Sequence, residues 1–358
     1  MEHGRHELSA MIPPHNSEEL INYFTSEGLK FAIDIDDVDN LIKSQFAGRV
    51  KRDAPSRNLS ATNVYNNFEN IVSMLEEWDR QYSHLEVMTL GTTEHNRTIF
   101  GVKISSNQSS GKPAIMLEFG THAREWISTA SGLSFINKLA TGYGKDSDVT
   151  SIVNKFDWYI IPVTNPDGYV YTWKSDRLWR KNRATKHLRK CIGVDINRNF
   201  DAHFDNCYGE SECSEIYCGS SAFSEPESDA IRKLAISLQN RLKAYFSIHS
   251  YSQLVSYPHG YSSSPVKNQS KYAKWAKNLA QEMSKPYGTI YSSCNIATGV
   301  YTVSGDSVDW VFDTLGVEAS FAIELRDDGA FGFLLPEDQI EPTANELFHG
   351  VTTFVQQL

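Results

Sequence analysis

The stretch Ala114-Ile-Met-Leu-Glu-Phe-Gly-Thr-His-Ala-Arg-Glu-Trp126 decides how the chain is read. Residues 114–119 form a short, continuous apolar run, the pattern of a buried strand. From Arg124 to Thr141, the residues Trp126, Ile127, Ala130, Leu133, Phe135, Ile136 and Leu139 recur at near-helical spacing. His122 and Glu125 therefore fall at the carboxyl end of a strand, where open α/β sheets place their active sites. An imidazole and a carboxylate three residues apart suit a divalent metal, yet they read equally well as a hydrogen-bonded surface pair. A metal needs further ligands.

Outward from this turn, helices alternate with buried strands. Strands are expected at 98–104, 157–163, 244–248 and 320–324, and helices at 64–83, 226–241, 270–285 and 343–357. Strands separated by long helical connections predict an α/β fold, a single catalytic domain whose central mixed, mostly parallel twisted sheet is flanked by helices. The chain has 358 residues and 40% hydrophobic content, enough for a sizeable core. Its formal charge of -10 argues against a nucleic-acid partner. No apolar run is long enough to span a membrane.

The start of the chain differs in character. Residues 17–28 and 38–46 read as short helices and Lys30-Phe-Ala-Ile-Asp-Ile35 as a strand. Arg49-Val-Lys-Arg52 is a polybasic site of the kind processing proteases cut, although a solvated basic loop has the same composition. We accordingly divide the chain into a partial activation segment (1–52), a linker (53–62) and a catalytic domain (63–358). Cys191, Cys207, Cys213 and Cys218 cluster in one irregular stretch, as in a disulfide-pinned loop, and Cys294 is left over. With sequons at Asn58, Asn96, Asn107 and Asn268, they predict a secreted protein, although the polar first residues carry no signal peptide.

Polar residues break the pattern at strand ends. His249 follows the strand 244–248, Glu324 lies within the apolar run 320–324, Asp195-Ile-Asn-Arg-Asn199 sets a cation beside an amide, and Arg177-Leu-Trp-Arg180 sets guanidinium groups among aromatics. An unpaired carboxylate inside a strand is costly and usually functional. Each arginine reads equally as a structural ion pair.

Together with Asn165-Pro-Asp-Gly-Tyr169, His249-Ser-Tyr-Ser-Gln253, Tyr301 and Glu324-Leu-Arg-Asp327, these motifs resemble, in order, the pancreatic-type zinc metallocarboxypeptidases of the A/B subfamily. The resemblance runs from about residue 55 to the end. It implies one zinc ion held by His122, Glu125 and His249, with Asp195 fixing the tautomer of His122. Glu324 is then the general base acting on zinc-bound water, and Arg180 stabilises the oxyanion. Asn197, Arg198 and Tyr301 receive the substrate's free carboxylate, and Arg124 touches the next group along the peptide. The resemblance also implies a peptide hydrolase acting on peptide or protein C-termini, a zymogen released by a processing protease after Arg52, and a monomer. It pairs Cys191 with Cys213 and Cys207 with Cys218, while the residues alone allow three pairings.

By the same motif matching, the pocket for the terminal side chain is lined by Ser256, Gly260, Ile296, Val300, Val303, Asp306, Val308 and Ala322. Val308 stands where B-type enzymes carry an aspartate, so hydrophobic or aromatic ends are expected. Asp306 departs from the family's usual glycine. It is expected either to face solvent or, in a B-type alternative, to pair with a basic end. One extra residue between Trp310 and Glu324 is a second departure. An inactive peptide-binding homologue is the competing reading, against which stand His122, Glu125, His249 and Glu324.

Overall fold

The computed structural model describes residues 10–47, 60–106, 111–186, 188–207 and 209–358. Eight strands form one sheet: β1 (Leu85–Thr92), β2 (Thr98–Ile104), β3 (Ala114–Phe119), β4 (Asp157–Ile161), β5 (Leu242–Ser250), β6 (Leu254–Tyr257), β7 (Ser292–Asn295) and β8 (Ala319–Leu325). Their spatial order is β1-β2-β4-β3-β5-β8-β6-β7. The central block β4-β3-β5-β8 is parallel. β1 and β2 extend it antiparallel on one side, and β6 joins β8 antiparallel on the other.

The helices are α1 (Pro14–Ser26), α2 (Val38–Ala47), α3 (Phe68–Gln81), α4 (Trp126–Gly142), α5 (Ser147–Lys155), α6 (Pro166–Lys174), α7 (Pro226–Leu238), α8 (Gln269–Ser284), α9 (Ile296–Gly299), α10 (Ser307–Leu315) and α11 (Ile340–Gln356). Because alternate residues of a strand point to opposite faces, β3 feeds two cores at once. Ile115, Leu117 and Phe119 pack among residues of α3, α4, α8 and α11, whereas Ala114 and Met116 pack on the other face with residues of α7 and α10. A sheet buried on both faces requires near-continuous apolar strands, which is why these segments were visible in the sequence.

The expected strand over residues 30–35 does not form; they are irregular, and Phe31 and Ile33 are exposed. Among the described residues the segment joins no sheet, and β-pattern alone does not stabilise an isolated strand. Helix α1 buries none of its residues. Helix α2 docks, with Phe46 edge-on to Trp126 and Trp173 and Gln45 donating to the Leu335 carbonyl. Arg52 and the sequons at Asn58 and Asn107 lie outside the described residues. Asn96 and Asn268 are exposed. Disulfides join Cys191 to Cys213 and Cys207 to Cys218, and Cys294 is free. Among the described residues, no helix is long and apolar enough to cross a membrane.

Candidate metal centre and cleft

β3 ends at Gly120, whose φ of +63° suits glycine and turns the chain sharply into the segment carrying His122. Glu125 precedes the first turn of α4, and its side chain makes no capping bond there. Its carboxylate faces two imidazoles instead: Oε1 lies 2.8 Å from His122 Nδ1, and Oε2 lies 3.0 Å from His249 Nδ1 and accepts the Ser250 amide at 3.2 Å. His249 belongs to β5, the neighbour of β3, so two adjacent strand ends supply the three groups. One ligand atom from each lies within 4.8 Å of the others, and all three residues are buried. Two nitrogens and one carboxylate converging in this way fit a catalytic zinc site, which leaves a fourth position open.

The backs of the imidazoles are also held. His122 Nε2 lies 3.0 Å from Asp195 Oδ1. Arg180 donates from Nε and Nη2 to Asp195 Oδ2 at 3.0 and 2.8 Å. Burial works against charge on Asp195, but Arg180 and His122 hold its carboxyl well below the usual range. Burial likewise opposes charge on Glu125, and the two histidines reverse its effect and keep the carboxylate ionised.

Glu324 sits in β8 directly across the parallel ladder from His249. It is half-buried. Enclosure in the cleft pushes its carboxyl up to about 7, assisted by Glu125 and resisted by His249, Arg180 and Arg198. A carboxyl poised there can exchange protons near neutral pH.

Asn197 and Arg198 lie in the single helical turn 196–198, which Asp195 begins by accepting the Asn197 amide hydrogen. Asn197 Nδ2 lies 3.4 Å from His249 Nε2. Arg198 donates to the Tyr301 hydroxyl at 2.8 Å, although Tyr301 is otherwise exposed. Arg124 lies over the Phe333 ring and donates to the Leu178 carbonyl at 3.3 Å. Arg177, by contrast, is a structural pin: it lies 3.7 Å from the centre of the Trp126 ring and donates to the carbonyls of Arg124 and Phe333 and to Gln45.

Of the residues expected to line a pocket, some lie together. Val303 donates its amide to the Gly260 carbonyl at 2.9 Å, and a Cβ placed on Gly260 would meet Val303, Ile296 and Asp306. Ser256 pairs with Ala322 across β6 and β8. Val308 is buried in the apolar layer with Trp310 and Val311, whereas Val300 is exposed.

Asp306 corrects one expectation, because it does not face solvent. It is 3% exposed; Oδ1 accepts the Asp309 amide at the start of α10, and Oδ2 is buried without a hydrogen-bond partner. Burial raises its pKa. Asp309, missed in the sequence, accepts the amides of Gly260 and Tyr261 at 2.8 and 3.2 Å and so ties α10 to that segment. Burial and then the neighbouring Asp306 push it up to about 9.

A family model described as zinc carboxypeptidase matches residues 71–350. The chain is 38% identical over 331 residues to carboxypeptidase B of Bos taurus, covering 91% of this chain and 77% of that protein. It is also 38% identical over 337 residues to mast cell carboxypeptidase A of Homo sapiens, covering 94% and 79%. The crystal structure of thrombin activatable fibrinolysis inhibitor superposes with a TM-score of 0.88 at 33% identity, over 96% of this chain and 86% of that one.

Proposed function

The chain belongs to the zinc carboxypeptidase family and is a metallocarboxypeptidase, and on that premise we propose that it releases single residues from free peptide C-termini, with a preference for hydrophobic and aromatic ends. The observation that carries the exopeptidase reading is the pair Asn197 and Arg198, donors suited to a planar carboxylate, with Asn197 Nδ2 beside His249 and Arg198 bonded to the Tyr301 hydroxyl.

In this reading His122, Glu125 and His249 hold the zinc. An ion held there would supply polarisation of a carbonyl and easier deprotonation of water. Arg198 and Asn197 receive the terminal carboxylate, and Tyr301 exchanges its bond with Arg198 for one to the substrate as it closes the site. Arg124 touches the next group along the peptide. Glu324 takes a proton from the attacking water and delivers it to the nitrogen of the leaving amine, which departs neutral. Arg180, anchored by Asp195, presents positive charge to the oxyanion.

Ser256, Gly260, Val303, Val308 and Ala322 supply small or apolar walls for the terminal side chain. A second reading, release of basic ends, draws on Asp306, whose unpartnered Oδ2 would lie 3.3 Å from a Cβ at Gly260. Relatives named for both the A and the B types match at 38% identity, so similarity does not choose. The deciding assay uses two blocked dipeptides, one ending in phenylalanine and one in arginine, with and without a chelator. Chelator-sensitive release of phenylalanine supports the first reading and preferential release of arginine the second. No release of either by zinc-loaded protein would overturn the proposed activity.

We further propose that the enzyme is a monomer, secreted as a precursor whose segment up to Arg52 is removed by a processing protease. The two disulfides, the exposed Asn96 and Asn268, and the meagre burial of α1 support this. Cleavage of the precursor by a basic-site protease, followed by a gain in dipeptide hydrolysis, tests it. An uncleaved chain with full activity would contradict it.

A further inference from the structure

Glu118 is fully buried in β3, two residues before the turn at Gly120 that leads to the metal centre, and nothing in the proposed chemistry uses it. Among the described residues its carboxylate bonds to no cation. It accepts from four hydroxyls: Ser247 and Tyr245 on Oε1, and Thr121 and Thr164 on Oε2, with Tyr245 at 3.5 Å and Thr164 at 3.3 Å. A buried carboxylate is expensive unless its bonds matter.

One of these bonds leads to a metal ligand. Glu118 and Ser247 are register partners across β3 and β5, and Ser247 and His249, two residues apart, share a face of β5. Ser247 Oγ lies 2.8 Å from His249 Nε2, while His249 Nδ1 faces Glu125 and His122.

We propose that Glu118 is a positioning residue for the metal, acting through Ser247 on His249. Ser247 donates to Glu118 Oε1, so its single hydroxyl hydrogen is committed there. The Ser247 oxygen then presents a lone pair to His249, which must carry its proton on Nε2. Nδ1 is left free to ligate. Asn197 Nδ2, itself a donor, lies 3.4 Å from Nε2 with its amide oriented by the Ser307 amide hydrogen on Oδ1 at 3.0 Å, and it makes no hydrogen bond to this tautomer. The two histidines are thus supported by different means: Asp195 acts directly on His122, and Glu118 acts on His249 through a hydroxyl.

This assignment rests on the zinc reading of the site, and zinc affinity tests both. The apoproteins of wild type, Ser247→Ala, Glu118→Gln, the double variant and Thr164→Val are titrated with zinc against a competing chelator. Wild type binds; Ser247→Ala and Glu118→Gln each bind about 10- to 100-fold more weakly, and the double variant is no weaker than Ser247→Ala. Thr164→Val, which removes a hydroxyl from Glu118 but leaves the path to His249, binds like wild type. Wild-type affinity in Ser247→Ala, or losses that multiply in the double variant, would overturn the assignment while leaving the zinc site intact. Wild-type protein that binds no zinc would remove both. Should Glu118→Gln not fold, Ser247→Ala decides alone.

Discussion

The Nδ1 atoms of His122 and His249 point at one another across 3.1 Å, with the Glu125 carboxylate closing the third side. Two imidazole lone pairs and an anion at such a separation repel unless a cation or a proton lies between them. Zinc binding should therefore stabilise the fold as well as enable catalysis. Stripping the metal is expected to abolish hydrolysis and lower Tm. Zinc restored at a hundredfold excess over Kd should return about 2.7 kcal/mol, read by calorimetry. An apoprotein with unchanged Tm would show that the three groups bind no ion.

Glu324→Gln should cut kcat by about 10²- to 10⁴-fold, the usual contribution of a positioned acid–base group. Zinc content, measured by metal analysis, should stay at one ion per chain. The sign of the pH dependence follows from the raised pKa of about 7: the base is ionised above that value, so kcat/KM rises with pH through neutrality. A pH profile with the same rising limb in wild type and in Glu324→Gln would exclude Glu324 as the base.

Arg198→Ala should raise KM for substrates with a free C-terminus about 10- to 100-fold, the worth of a charged hydrogen-bonding pair. The wild-type enzyme should leave C-terminally amidated peptides uncut. Mass spectrometry of a peptide and its amide would check both, and equal cleavage of the two would eliminate the exopeptidase reading.

Asp306→Asn preserves the capping geometry of α10 but removes any negative charge from the pocket wall. If apolar ends are preferred, the ratio of phenylalanine to arginine release should stay within about threefold of wild type, whereas a shift beyond tenfold would assign Asp306 to recognition of basic ends. Asp306→Ala additionally removes the cap and should cost about 1 kcal/mol in denaturant unfolding.

Reduction of the bridges should destabilise the irregular region. Cys191 and Cys213 are 22 residues apart and Cys207 and Cys218 are 11 apart; bridges over loops of such size contribute about 2–4 kcal/mol each. Tm measured with and without reductant should fall accordingly.

The central strands and the flanking helices were legible in the sequence because burial on both faces demands apolar runs, and His122, His249 and Glu324 were visible as polar breaks at their ends. The edge strand β1 carries a half-buried mixture of residues, and β6 and β7 have four residues each, too short for a period to emerge. Residues 30–35 had the pattern of a strand without a neighbour to pair with. The geometry of Asp306 was hidden for a different reason: whether a carboxylate at a helix start faces water or the protein depends on Gly260, 46 positions earlier in the chain. Glu118 passed unremarked within a run read as continuously apolar, because its hydroxyl partners come from three separate segments.

His249 and Glu324 occupy opposing rungs of one parallel ladder, so their spacing is set by backbone pairing and is insulated from the lengths of the loops outside it. The extra residue between Trp310 and Glu324 illustrates this: α10 ends at Leu315, Gly316 turns with φ of +70°, and β8 resumes in register. The chain can therefore tolerate insertion, deletion or exchange in the connections around the cleft, drifting in substrate preference while its reactive centre stays fixed.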